Sequence, residues 1–214
     1  MKINRVLLLG LVLVKSVFVA VSQERCVPVG MLCEYLSNPL GIDALHPRLR
    51  WHLDDVRDKA MQKACRVLVS TDSLKLADKN YADCWDTGKR KTETMQFVYN
   101  GKKLLPFTKY FWKVEVWDKD GNKTSSDIAS FETGMLEMHN WRGSWISDGR
   151  DMDYKPAPYF RKEFVVAKPI KKAMAYVCGL GFYEMYFNGE RVGEQVLAPA
   201  VTNYDRRSLK KLLY

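Results

Sequence analysis

Between residues 33 and 133 apolar and polar side chains alternate in short runs, the two-residue period of strands that turn one face inward. Leu49, Trp51 and Leu53 share one such face, as do Cys65, Val67 and Val69, and again Met95, Phe97 and Tyr99. The strongest run is Tyr110-Phe111-Trp112-Lys113-Val114-Glu115-Val116-Trp117, whose inward face is predicted to be Tyr110, Trp112, Val114 and Val116. Asp118-Lys119-Asp120-Gly121-Asn122 then turns the chain, and Phe131 marks a closing strand. About seven short strands in about a hundred residues is the pattern of an immunoglobulin-like sandwich.

A composition shift at Met135-Leu136-Glu137-Met138-His139-Asn140, leading into Trp141-Arg142-Gly143-Ser144-Trp145-Ile146, reads as a junction. Beyond the polar stretch 147–155, Pro156-Ala157-Pro158 opens a second β-rich unit, with strands expected over 159–166, 173–178 and 183–187. Asn188-Gly189 follows directly and accepts the positive φ angles of a tight hairpin. The organisation is therefore 1–22 export segment, 23–134 first sandwich, 135–155 junction and 156–214 second module.

The export segment is read from Met1-Lys2-Ile3-Asn4-Arg5, a basic start, the apolar run from Val6 to Val14, and small residues at Ala20 and Ser22. Lys15 interrupts that run, leaving it short of the ~20 residues a membrane-spanning helix needs. Cleavage is expected after Ser22, and the product is expected to be periplasmic or extracellular. Gln23, Glu24 and Arg25 are not the small residues that a lipid-attachment site at Cys26 would require.

The 214 residues, 47% hydrophobic and 28% charged, support a packed core, and the 12% aromatic content favours strands. Setting aside Lys2, Arg5 and Lys15 of the export segment lowers 34 basic residues to 31 against 25 acidic ones, a modest and interspersed excess. No basic cluster or nucleic-acid motif accompanies it, so a nucleic-acid partner is not expected. Five cysteines, Cys26, Cys33, Cys65, Cys84 and Cys178, lack zinc-site spacing, and their odd number leaves one unpaired within a monomer.

Several motifs that touch on chemistry read better as structure. Asp118-x-Asp120-Gly121-Asn122 resembles the start of a calcium loop, but it lacks the downstream glutamate and sits between strands, as a hairpin turn would. His46, His52 and His139 are dispersed. Gly179-Leu180-Gly181 lacks the third glycine and helix of a phosphate-binding loop, and Cys178 beside it reads as a small core residue. Asp148, Asp151 and Asp153 share one loop, whereas glycoside hydrolysis needs two carboxyl groups facing each other across a cleft. Trp141, Trp145, Phe182 and Tyr183 suit a junction or a core better than a sugar platform. No residue is assigned as catalytic, cofactor-binding or metal-binding, and no cofactor is expected.

The run Leu104-x-Pro106-x-Thr108-x-Tyr110-x-x-x-Val114 resembles the approach to the sixth strand of a fibronectin type III domain, which makes Tyr110 a corner tyrosine whose hydroxyl bonds upstream backbone. The second module carries Ala157-Pro158-Tyr159-Phe160-Arg161-Lys162-Glu163-Phe164, then Gly179-Leu180-Gly181-Phe182-Tyr183-Glu184-Met185-Tyr186-Phe187-Asn188-Gly189. Val192-Gly193, Val196-Leu197-Ala198-Pro199 and Thr202-Asn203-Tyr204-Asp205-Arg206-Arg207 follow. This string resembles the N-terminal β-sandwich region of bacterial α-L-rhamnosidases. Cys33-Glu34-Tyr35, Asn38-Pro39-Leu40-Gly41-Ile42-Asp43, Pro47-Arg48-Leu49-x-Trp51 and Trp85-Asp86-Thr87-Gly88 resemble the fibronectin-like module that precedes it in those enzymes.

The resemblance implies an all-β chain: a fibronectin type III or immunoglobulin-like sandwich, then a second, incomplete, jelly-roll-like β-sandwich. It implies a front portion of a secreted, inverting α-L-rhamnosidase whose two glutamates sit on a following (α/α)₆ barrel. Ser208-Leu209-Lys210-Lys211-Leu212-Leu213-Tyr214 departs from the family pattern inside an expected strand pair. The implied partners are rhamnose-containing glycans or glycosides and the missing catalytic barrel, with no membrane span after signal removal. The chain alone is expected to be inactive. The alternative from another class is a free-standing carbohydrate-binding or interaction β-sandwich.

Overall fold

The computed structural model describes residues 26–78, 80–150, 153, 156–170 and 173–194, and the backbone of 210–213. The export segment therefore lies outside the described residues, as do Asp151 and residues 195–207 of the second module.

Among the described residues the first module has nine strands in two antiparallel sheets. One sheet joins β1 (Val27–Cys33), β2 (Arg48–Asp54) and β6 (Gln96–Val98) in the order β1-β2-β6. The other centres on β3 (Gln62–Ser70) and β7 (Lys109–Asp118), which pair from Gln62↔Asp118 to Ser70↔Phe111. Around that pair lie β4 (Trp85–Asp86), β5 (Arg90–Lys91), β8 (Lys123–Ser125) and β9 (Ala129–Glu132). The inward faces are those the alternation predicts: Leu49 and Trp51 oppose Cys65, Val67, Val69, Trp112, Val114 and Val116, all essentially buried. At about 25 cal/mol per Å² of apolar surface, this shared face supplies most of what holds the module together. Trp51 stacks on Phe97 at 6.0 Å between ring centroids, and Tyr110 on Phe131 at 5.2 Å.

Four details differ from the expectation. β1 lies in a segment where Pro28 and Gly30 break the alternation, and a bulge shifts its register between Val29 and Leu32. Met95 precedes β6 and is exposed, so only Phe97 and Tyr99 of that trio reach the core. The outer face of β7 is buried too: Lys113 and Glu115 are covered beside a short helix, α1 (Ser73–Asp78), whose buried Leu76 offers its carbonyl to Lys113 Nζ at 2.6 Å. Cys178 is half-buried instead of a core residue.

The second module is sparser. β10 (Ala175–Cys178) pairs antiparallel with β13 (Lys210–Leu213), so the divergent C-terminal segment does form a strand partner. β11 (Tyr186–Phe187) and β12 (Glu190–Arg191) make the expected hairpin, with φ of 50° at Asn188 and 88° at Gly189. Residues 159–166 form no regular strand, and Tyr159 and Val165 are almost wholly exposed. Their alternation has no second sheet face to pack on among the described residues. No helix of those residues is long and apolar enough to cross a membrane.

Candidate functional site at the module junction

The motifs that carry the family resemblance act as fasteners. Asn38 Oδ1 accepts the Ser130 N–H at 2.7 Å, Ile42 N–H donates to the Glu132 carbonyl at 2.9 Å, and Asp43 Oδ1 accepts the Leu136 N–H at 2.9 Å. The loop 38–43 thereby ties the closing strand to the start of the junction. In the Trp85-Asp86-Thr87-Gly88 run, Asp86 pairs with Arg66 at 2.6 Å and Thr87 Oγ1 accepts the Val67 N–H at 2.9 Å, pinning β4 to β3. Tyr110 is the corner tyrosine: its hydroxyl accepts the Leu105 N–H at 2.8 Å.

The charged groups around Arg48, Arg57 and Arg66 are held in pairs. Arg57 bridges Asp55 at 2.6 Å, Asp118 at 2.8 Å and Asp120 at 3.1 Å. The Asp118–Asn122 segment is a turn in which Asp118 Oδ1 accepts the N–H groups of Asp120 and Asn122. The carboxylates a cation would have needed face a guanidinium instead. Hydrogen bonds from Arg57 hold the Asp55 carboxyl down at about 2. Burial opposes the charge of Asp83, yet hydrogen bonds from Thr71, Cys84 and Ser70 outweigh it and keep that carboxyl well below its ordinary value. Burial likewise opposes the charge of Glu115, and hydrogen bonds from Lys123 and Asn80 with the Lys123 and Arg66 charges prevail. Glu34 and Asp86 are lowered by hydrogen bonds from Arg48 and Arg66.

Cys26, Cys33, Cys65 and Cys84 are free thiols. Burial pushes Cys26 up to about 11, Cys33 to about 12 and Cys65 to about 11, so they remain protonated and unreactive at neutral pH. The histidines stay apart: His46 Nδ1 lies 3.0 Å from the Tyr99 carbonyl, His52 is exposed on β2, and His139 sits by Glu137 at 3.3 Å. Asp148 and Asp153 are exposed, and Asp148 Oδ1 accepts the Arg150 N–H at 3.2 Å. Gly179-Leu180-Gly181 is a bend at the end of β10. Trp145 and Phe182 are mostly exposed, and the ring of Tyr183 packs on Gly179.

Trp141 differs, because it lines a cleft of about 660 Å³ where the first module, the junction and the second module meet. Pro106 and Phe107, from the turn before β7, form one wall, Trp141, Arg142 and Gly143 another, and Tyr176 of β10 a third. The Phe107 and Tyr176 rings meet edge to face at 4.5 Å. Phe107 takes φ 53°, a conformation that costs a bulky residue about 1–3 kcal/mol. Its N–H bonds the Gly134 carbonyl at 2.8 Å, and the next N–H, of Thr108, bonds Thr133 Oγ1 at 2.9 Å, which fixes the turn. Periodicity could not reveal this cleft, since its walls come from three segments and its key conformation is a left-handed phenylalanine.

Residues 28–137, more than half of the chain, match the family model for the Rha78A-like, N-terminal immunoglobulin domain. Residues 168–212 match the one for the alpha-L-rhamnosidase N-terminal domain. The chain belongs to the α-L-rhamnosidase family. An alpha-L-rhamnosidase of Formosa agariphila is 35% identical over 196 residues, 80% of this chain and 20% of that protein. The solved alpha-L-rhamnosidase of Dictyoglumus thermophilum is 37% identical with a TM-score of 0.78, over 87% of this chain and 23% of that one. That of Streptomyces avermitilis, solved with L-rhamnose, is 26% identical with a TM-score of 0.56, over 88% of this chain and 20% of that one. The chain thus spans about a fifth of the length of these α-L-rhamnosidases.

Proposed function

We propose that these residues are the non-catalytic front portion of an exported α-L-rhamnosidase, a β-structured platform beside a catalytic domain that supplies the acid and base. The observation that carries this reading is the pair of family matches over residues 28–137 and 168–212, and the direction in which the carboxyl groups are shifted agrees with it. Glycoside hydrolysis needs one carboxyl raised enough to hold its proton until it protonates the leaving oxygen, opposite a second that acts on water or sugar. Among the described residues every carboxyl with a resolved shift, Glu34, Asp55, Asp83, Asp86, Glu115 and Asp118, is lowered. Such groups are committed anions in ion pairs and turns, suited to holding strands together and not to donating a proton at neutral pH.

The export half of the proposal rests on the basic start, apolar run and small residues of positions 1–22. N-terminal sequencing of the secreted product should read from Gln23, and an intact Met1 in the membrane fraction would contradict export. Sequencing the gene downstream of Tyr214 should reveal a barrel domain, and unrelated DNA there would favour a free-standing sugar-binding protein.

A further inference from the structure

We propose that the cleft bounded by Phe107, Trp141, Arg142 and Tyr176 binds the ring of a neutral pyranose sugar. A pyranose presents C–H groups on its faces and hydroxyls around its rim, so a fitting site combines aromatic surfaces with a few hydrogen-bonding side chains at the edge. The cleft has that composition. The edge-to-face pair of Phe107 and Tyr176, at 4.5 Å, forms an apolar corner, and the half-buried indole of Trp141 lines the same cleft. His139, Asn140 and Arg142 supply the polar rim. A volume of about 660 Å³ lies within the ~300–1,000 Å³ common for small-molecule sites.

The Phe107 wall is held in place before any ligand arrives, and the strap carrying Trp141 is tied locally by backbone hydrogen bonds. Phe107 is 40% exposed and kept at φ 53° by the turn's hydrogen bonds, so its ring is spent on the cleft edge instead of the core. The strap carrying Trp141 is a single 3-10 turn, Met138–Asn140, closed by the Asn140 N–H to the Glu137 carbonyl and the Trp141 N–H to the Met138 carbonyl, both at 3.0 Å. Glu137 anchors it to Lys103 at 3.2 Å. Asn140 Nδ2 donates to the Met135 carbonyl at 2.8 Å, which fixes the amide and leaves its oxygen to accept from a sugar hydroxyl. Gly143 lies against the indole: a Cβ there would stand 2.9 Å from Trp141 ring atoms, so only glycine lets the ring keep its position. Among the described residues Arg142 has no ion-pair partner, and a guanidinium donates readily to paired hydroxyls. One arginine without further cations suits a neutral ligand better than a phosphate.

The choice of a sugar rests on the accessory role proposed above. Its test is titration of the whole mature chain with methyl α-L-rhamnopyranoside and, separately, methyl α-D-glucopyranoside, followed by ¹H–¹⁵N correlation spectra. The Trp141 indole N–H and the Phe107 and Arg142 backbone N–H signals should shift saturably with at least one of the two, with a dissociation constant on the order of 1 mM, as a ligand of this size gives. Trp141→Ala and Gly143→Ala should each weaken binding by about ten-fold or more. Unmoved indole signals of the buried Trp51 and Trp112 establish in each variant that the first module is folded. A stationary Trp141 indole with both sugars, or unchanged affinity in both variants, overturns the cleft assignment. That failure leaves the accessory role standing, because the gene downstream of Tyr214 decides it; unrelated DNA there, together with saturable shifts, would remove the rhamnosidase role and keep the cleft.

Discussion

The Tyr110 hydroxyl accepts the backbone N–H of Leu105 at 2.8 Å, while its ring, 2% exposed, stacks on Phe131. One side chain thereby closes the connection between the sheets and fills the core beneath it. Tyr110→Phe keeps the ring and removes the acceptor, leaving a partly buried N–H without its partner. The first module should lose about 1–3 kcal/mol, read as a lowered denaturant midpoint at unchanged slope for residues 23–134. An unchanged midpoint would show that the corner bond contributes nothing.

The carboxyl shifts fix the sign of the acid response. Asp55 goes from an ordinary 3.8 to about 2, so its contribution is fully present above about pH 4 and is lost as pH falls through its folded value. Asp83, Asp86, Asp118, Glu34 and Glu115 are shifted the same way and act in the same direction. Denaturant midpoints should be flat from pH 7 to 5 and fall steeply below pH 4. A midpoint that rose on acidification would mean that these carboxylates are not paired in the native state.

The two modules should differ under a protease. The first has a continuous core and the Arg57 clasp, whereas Tyr159, Val165 and Phe164 of the second are largely exposed. Burial of that kind does not offset a backbone ordering cost of about 1–2 kcal/mol per residue. Limited proteolysis should cut first within 137–153, then within the second module, and leave the first intact. Equal resistance of both halves would contradict this.

What could be read from the chain follows from which faces are one-sided. On β7 the alternation of Tyr110, Trp112, Val114 and Val116 states the inner face directly, and Asn188-Gly189 states its hairpin, because a single physical requirement governs each. Lys113 and Glu115 on the opposite face were legible only as solvent-facing charges, since their burial depends on α1 and on partners such as Lys123, 2.5 Å from Glu115. β1 was hidden by Pro28 and Gly30, whose costs are met by an edge position and a bulge. In residues 159–166 the pattern is present without the strand, because a strand needs a neighbour to pair with and none of the described residues pairs with this segment. The cleft was beyond reach for a related reason: Phe107, Trp141 and Tyr176 meet only through the tertiary fold.

The central claim is that these residues support rhamnoside cleavage without performing it, and the most direct test is rhamnose release from an aryl α-L-rhamnoside by the purified chain. The account predicts none above the uncatalysed rate at any pH from 4 to 8, since every shifted carboxyl described is held as a paired anion. Multiple-turnover release of rhamnose, abolished by replacing an acidic residue of the chain, would contradict it.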